Sequence, residues 1–162
     1  MVQEQYWKEL HQLKTHINFI ELQLEKAEKI DRIIKVVLAI ASSSSIGAWA
    51  IWNQFSWIWA SIIAFSQVTS AINQFLPYKS RIKEYTSLLH ELDELMIQAE
   101  FKWHAIADGK FTATEINKAR FEIRSAKQKS LKKNIQITIP TNSKLHAQAE
   151  ASATEYLNNF YA

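Results

Sequence analysis

Two segments of the chain repeat apolar residues with a heptad period. In the first segment, apolar residues recur every seven positions in two series: Leu10, Ile17 and Leu24, then Leu13, Ile20, Ala27 and Ile34. In the second segment, apolar residues recur at alternating spacings of three and four: Ile82, Tyr85, Leu89, Leu92, Met96, Ala99, Trp103 and Ile106. This spacing is typical of a helix that buries one narrow face, as in coiled coils. It predicts two long stalk helices, in residues 1–35 and 78–109, that pair along their apolar faces.

Between these helices, the 43 residues from 36 to 78 carry no charged side chain. A helix rises 1.5 Å per residue, so about 20 residues cross a bilayer core of about 30 Å. The run is long enough for two crossings, expected at Val36–Trp52 and Trp57–Leu76, with a turn at Asn53–Ser56. The pattern therefore predicts an all-α membrane protein with a two-helix transmembrane hairpin over residues 36–77.

Basic residues flank this run on both sides: Lys26, Lys29, Arg32 and Lys35 before it, and Lys79, Arg81 and Lys83 after it. By the positive-inside rule, both termini are expected in the cytoplasm, with the turn on the opposite side of the membrane. Four tryptophans surround the expected turn, where an aromatic belt would lie at the membrane interface: Trp49, Trp52, Trp57 and Trp59. The alternative is a helical hairpin buried inside a soluble bundle, which the polar residues of both segments favour.

The second uncharged segment has a polar stripe along one side of the expected helix. The stripe is formed by hydroxyl and amide side chains: Ser66, Thr69, Ser70, Asn73 and Gln74. Such a stripe is expected to face protein or water rather than lipid. Two interpretations stay open: the stripe packs the hairpin against its copies, or it lines a weakly selective conduit in an oligomer.

The sequence pattern of residues 110–162 predicts a basic helix followed by a C-terminal helix, both in the cytoplasm. Thr112 and Glu115 have the spacing of a capping box, which begins a helix. The net charge of +3 arises largely from the following helix, which carries the candidate ligand-binding residues Arg120, Arg124, Lys127, Lys129, Lys132 and Lys133. Clustered lysine and arginine attract phosphates, so we expect a nucleotide or oligonucleotide site here. The alternative is a solvated basic helix near the anionic membrane lipid of the cytoplasmic leaflet.

Composition excludes several kinds of site. The chain has no cysteine, which rules out disulfides, thiolate metal ligands and a cysteine nucleophile. With two glycines, it has no glycine-rich phosphate loop. Its five histidines show no metal-ligand spacing and are predicted to be structural or solvent-facing. We therefore expect neither an enzyme nor a cofactor.

The order of these parts resembles the SLATT family, the two-transmembrane effectors associated with bacterial nucleotide-signalling conflict systems. The resemblance covers roughly residues 5–110. It lies in the segment WKELHQLKTHINFIELQLEKAEKIDRIIK, in the serine-rich stretch that ends IGAWAIW, and in PYKSRIKEYTSLLHELDELM.

The resemblance implies a pore-forming inner-membrane effector of an anti-phage, abortive-infection system. Such an effector would be a homo-oligomer gated by a nucleotide or oligonucleotide signal from a partner nucleotidyltransferase. Short single-stranded nucleic acid is a further candidate ligand at the basic helix. Two alternatives stay open: a non-conducting membrane anchor or scaffold that recruits a soluble partner through its coiled coils, and a soluble helical adaptor.

Overall fold

The computed structural model describes residues 2–51, 56–73, 78–136 and 138–161. These residues form five helices: α1 (Val2–Ile51), α2 (Ser56–Asn73), α3 (Tyr78–Ala107), α4 (Ala113–Asn134) and α5 (Ser143–Tyr161). The described part of the chain is thus all-helical. The predicted boundary after residue 35 falls inside α1, which continues without a break to Ile51.

The chain divides into two compact units. Unit 1 comprises Met1–Glu25 and Lys83–Ala162, and unit 2 comprises Lys26–Ile82. Unit 1 therefore holds the first half of α1, nearly all of α3, and both α4 and α5. Unit 2 holds the second half of α1, together with α2 and the first residues of α3.

In unit 1, α1 and α3 run antiparallel. Gln3 Nε2 donates to the Ile106 carbonyl and Tyr6 Oη donates to the Ala99 carbonyl, both at 2.9 Å. Residue numbers therefore increase along α1 in the direction in which they decrease along α3. The predicted apolar faces are confirmed at the positions that are buried in unit 1: Leu10, Leu13, Ile17, Ile20, Tyr85, Leu92, Met96, Ala99 and Ile106. Leu24, Leu89 and Trp103 are only partly buried.

The two later helices complete the core of unit 1. α4 contributes Ile116, Ala119 and Ile123, and α5 contributes Ala149 and Leu157, all buried. Burying apolar surface is the main favourable term in folding, and here four helices share it. The core consequently joins segments from both ends of the sequence.

Local signals set where α4 and α5 begin. The predicted capping box of α4 is confirmed, because Thr112 N donates to Glu115 Oε2 at 2.8 Å and Glu115 N donates to Thr112 Oγ1 at 3.3 Å. At the start of α5, Asn142 Oδ1 accepts from Leu145 N at 3.1 Å. Gly109 follows α3 with φ of 72°, the left-handed conformation that glycine adopts without strain.

The predicted transmembrane hairpin is wrong. Across the described residues, no helix combines the length and the apolar character that a membrane crossing requires. In α2, seven of the 18 residues carry a hydroxyl or amide group, and each such group opposes transfer into hydrocarbon. The uncharged end of α1 likewise contains four consecutive serines, Ser42–Ser45.

Several further expectations rest on that hairpin, so its loss removes their basis. They are the aromatic interface belt, the pore-lining role of the polar stripe and the inner-membrane location. Trp57 is exposed, as is Ser70, whereas Ser66 and Thr69 are partly exposed. The side chains of Trp49, Trp59 and Asn73, and the whole of Trp52 and Gln74, lie outside the described part of the chain.

Candidate functional site

Two arginines of α4 hold that helix against α1. Arg124 Nε donates to Glu9 Oε2 at 2.6 Å, and Glu9 is only 5% exposed. Arg120 donates to the side-chain carbonyls of Gln5 and Asn117. A carboxylate as buried as that of Glu9 requires a charged partner. These two members of the predicted ligand site therefore serve packing within unit 1.

A third member of the predicted site, Lys133, pairs with α3. Its Nζ donates to Glu91 Oε1 at 2.6 Å. This hydrogen bond, with others from Ser130 and Asn134, lowers the pKa of Glu91 to about 2. In contrast, Lys129 and Lys132 are exposed and make no ion pair with any described residue.

Lys127 differs from the other basic residues of α4 because it lines a cleft. The cleft is open to solvent, has a volume of about 760 Å³ and lies within unit 1, bordered by α1, α4, α5 and the segment before α5. Partial burial lowers the pKa of Lys127. No ion pair joins its ammonium group to another described residue. Lys127 is the one predicted ligand residue that lines this cleft.

Three histidines line the same cleft, His11 and His16 from α1 and His146 from α5. His16 Nε2 is buried and has no hydrogen-bond partner among the described residues. Burial, then the nearby charges of Lys127 and His146, lowers the pKa of His16 to about 4. A neutral imidazole with an unused ring nitrogen therefore lies at the cleft.

The first turn of α5 also borders the cleft, through Asn142 and Ser143. The first amides of a helix have no acceptor within it, so those of Ser143 and Lys144 are unmatched inside α5. Side chains of α1 fix this turn, since Gln23 Nε2 donates to the Pro140 carbonyl at 3.1 Å and Asn18 Nδ2 to the Ala149 carbonyl at 3.3 Å.

The chemistry of the cleft is mainly that of cations and hydrogen-bond donors. Among the described residues that line it, Glu150 is the one acid. No three histidine, cysteine or acidic residues of the described chain are placed to share a metal ion. Sequence reasoning missed the histidines because His16 and His146 belong to different helices, and no local spacing connects them.

Unit 2 presents a surface of the opposite kind, which we call the apolar surface of unit 2. It is formed by large apolar side chains that are each more than half exposed: Val36, Ile40, Trp57, Phe65 and Val68. The uncharged run contains all five.

Three hydroxyl groups of α2 are satisfied within that helix. Ser61 Oγ donates to the Trp57 carbonyl, Ser66 Oγ to that of Ile63 and Thr69 Oγ1 to that of Phe65, each at 2.8 Å. These hydroxyls therefore need no partner from outside the helix, and covering them costs little.

No protein-family model, curated protein or solved structure matches the chain. The resemblance to the SLATT family stays a prediction from the sequence.

Proposed function

We propose that this protein is a self-assembling helical scaffold, in which copies associate through the apolar surface of unit 2 and unit 1 binds a ligand or partner. The observation that carries this proposal is the exposure of that surface, where Trp57 is 69% exposed and Phe65 66% exposed. Contiguous exposed apolar surface is unusual on a monomeric protein and marks a site of interaction.

Two of these side chains are neighbours on α2. Phe65 and Val68 are three residues apart, so they lie side by side on the helix. Removing apolar surface from water contributes about 25 cal/mol per Å² of favourable free energy. A partner that buries these side chains is therefore bound favourably.

The absence of charge from the apolar surface of unit 2 favours a second copy of the chain as its binding partner. A partner surface rich in lysine or glutamate would have to bury those charges against side chains that cannot pair with them. The same uncharged segment of another copy carries no such cost. In a twofold-symmetric contact, each copy covers the same patch on the other.

The hydroxyl residues of α2 suit such a contact. Serine and threonine are small, so a neighbouring helix can approach closely. Because Ser61, Ser66 and Thr69 already bond to their own helix, burying them leaves no donor unmatched.

This proposal retains the predicted homo-oligomer and the predicted scaffold role, without a membrane crossing. The resemblance suggests the input to the scaffold, which is a nucleotide-type signal or the nucleotidyltransferase that makes it.

Light scattering coupled to size exclusion tests the proposal on the full chain. We expect a mass of at least two chains of 18.8 kDa each. The double variant Phe65→Glu, Val68→Glu should dissociate to the monomer, because each copy would then bury glutamates without counter-charges. Phe101→Glu is the matched control, since Phe101 is 79% exposed and lies in unit 1.

The same measurement in mild detergent, with protein mass resolved from detergent mass, distinguishes self-association from coverage of the apolar surface of unit 2 by detergent or lipid. A parent chain that is monomeric in both solvents, or a double variant that keeps the parent mass, contradicts self-assembly through this surface.

A further inference from the structure

The cleft of unit 1 gathers several groups that bind anions, drawn from three helices. We infer that it is a binding site for a phosphate group, either free or carried by a small phosphorylated molecule, held by Lys127, His16, His146 and the first turn of α5. This site is independent of the proposed self-assembly, because every residue that forms it belongs to unit 1.

Lys127 supplies the fixed positive charge. Its neighbours on α4 are occupied, with Arg124 bound to Glu9 and Lys133 bound to Glu91. Lys127 makes no such pair with a described residue and is partly buried at the cleft. Burial lowers the pKa of Lys127, and the nearby Glu9 carboxylate raises that pKa but is already paired with Arg124. An ammonium group that is partly withdrawn from water and is in no ion pair attracts an anion more strongly than an exposed lysine does.

His16 supplies an unmatched polar atom. Leaving a buried nitrogen without a partner destabilises a fold. Nε2 is covered in the free protein, so the His16 ring must turn toward the cleft for an oxygen of a bound anion to become its partner. In the free protein, burial and the charges of Lys127 and His146 keep the imidazole neutral. A bound anion offsets those charges, so His16 gains a proton and both ring nitrogens become donors.

The first turn of α5 supplies backbone donors. The helix has 19 residues, and its dipole places partial positive charge at this end. Phosphate groups bind at such helix ends through the free amides. The Asn142 side chain accepts from the amide of Leu145, and the amide of Ser143, which lines the cleft, has no acceptor within the helix.

The cleft is larger than a single phosphate. Its volume of about 760 Å³ lies within the range of small-molecule sites, and Phe19, Ile139 and Pro140 give it an apolar wall. The additional space and the apolar wall suit the remainder of a phosphorylated small molecule. This site differs from the exposed face predicted from the sequence, to which Lys129 and Lys132 belong.

Calorimetric titration of the full-length protein with inorganic phosphate, adenosine monophosphate and adenosine tests the inference. We expect phosphate and the monophosphate to bind and adenosine to fail. If adenosine monophosphate binds more tightly than phosphate, the natural ligand is a phosphorylated molecule. If phosphate binds more tightly, the natural ligand is the free ion. Absence of binding by both, or equal binding by adenosine and its monophosphate, overturns the inference.

Variants locate the site. Lys127→Gln and His16→Gln should each weaken phosphate binding about tenfold, as expected for the loss of a charged hydrogen bond. Lys132→Gln removes the same charge from the same helix outside the cleft and should bind like the parent. Glu150→Gln removes the acid of the cleft and should bind phosphate more tightly than the parent, which a misfolded variant would not do. Equal losses in Lys127→Gln and Lys132→Gln contradict the assignment.

Proton uptake provides a signature that a structural histidine would not show. Sulfate is the probe, because its own charge is constant between about pH 5 and pH 8, where histidine titrates. Titration in two buffers of different ionisation heat should show uptake of a proton by the parent and less uptake by His16→Gln. Lys127, His11, His146 and Glu150 also face the cleft, so some uptake remains in the variant. No difference between the two proteins overturns the role of His16.

The two proposals fail separately. Loss of phosphate binding with intact assembly refutes the phosphate site alone. The variant Phe65→Glu, Val68→Glu should still bind phosphate, because both substitutions lie in unit 2.

Discussion

His16 and Glu91 make the stability of unit 1 depend on pH in two separate windows. Both side chains have a lowered pKa in the folded chain, for opposite reasons. Burial disfavours the charged form of His16, whereas the hydrogen bond from Lys133 favours the charged form of Glu91. In either case the unfolded state takes up its proton first as the pH falls.

For His16, we predict a loss of stability between about pH 6.5 and pH 4, the ordinary and the folded pKa. The contribution is fully present above this window, because neither state is protonated there. Urea unfolding at a series of pH values measures the loss. His16→Gln should flatten the stability curve in this window, and an unchanged curve in the variant would contradict the prediction.

For Glu91, we predict a loss of stability at lower pH, between about pH 4.5 and pH 2. Glu91→Gln should reduce the loss of stability there and leave the window of His16 unchanged. The remaining loss belongs to other carboxylates whose pKa is lowered in the folded chain, which are Glu4, Asp108, Glu115 and Glu122. The same unfolding series measures both variants, so each serves as the control for the other. A Glu91→Gln curve that falls as steeply as the parent curve below pH 4.5 would refute the role of the Lys133 contact.

At the scale of elements, the helix starts depend on a few local bonds. Thr112 and Glu115 satisfy each other's backbone amides at the start of α4. We predict that Thr112→Ala lowers the free energy of unfolding by about 1 kcal/mol, because one amide of the first turn loses its acceptor. Urea denaturation measures the change.

The matched control is Thr114→Ala, two residues further along α4 and exposed. It makes the same chemical change without removing a cap. Equal destabilisation by the two substitutions would show that the capping bonds contribute nothing.

Such local features were predictable from the sequence, and packing between distant segments was not. The heptad spacing and the capping box each involve residues a few positions apart, so the sequence alone identifies the buried faces of α1 and α3 and the start of α4. The cleft depends on bringing His16, Lys127 and His146 together from three helices. The absence of charge from residue 36 to residue 78 led to the prediction of a transmembrane hairpin, which is wrong because α2 carries too many polar side chains.

At the scale of the whole molecule, unit 1 is assembled from two separate stretches of sequence. The antiparallel register of Gln3 with Ile106 and of Tyr6 with Ala99 brings Glu25 and Lys83 to the same end of the helix pair. Connections of about 2–8 residues commonly join such helices.

We therefore predict that a flexible linker of about six residues can replace residues 26–82 without unfolding unit 1. The shortened chain should be monomeric, unfold cooperatively and keep its phosphate binding. Circular dichroism during urea unfolding measures the cooperativity. Leu92→Ala in the shortened chain should cost about 2–5 kcal/mol, as expected for a fully buried leucine. A gradual transition, insensitive to that substitution, would contradict an independent core.

The joining of distant segments in unit 1 also affects its biosynthesis. Asn18 bonds to Ala149, 131 residues later, and His11 bonds to Thr154, 143 residues later. Contacts of such long sequence separation form slowly, and the part of α1 that packs against α5 stays uncovered until α5 has left the ribosome. Unit 2 emerges before α4 and α5. Under the proposed self-assembly, neighbouring nascent chains on one messenger RNA would begin to associate through unit 2 while unit 1 is still open.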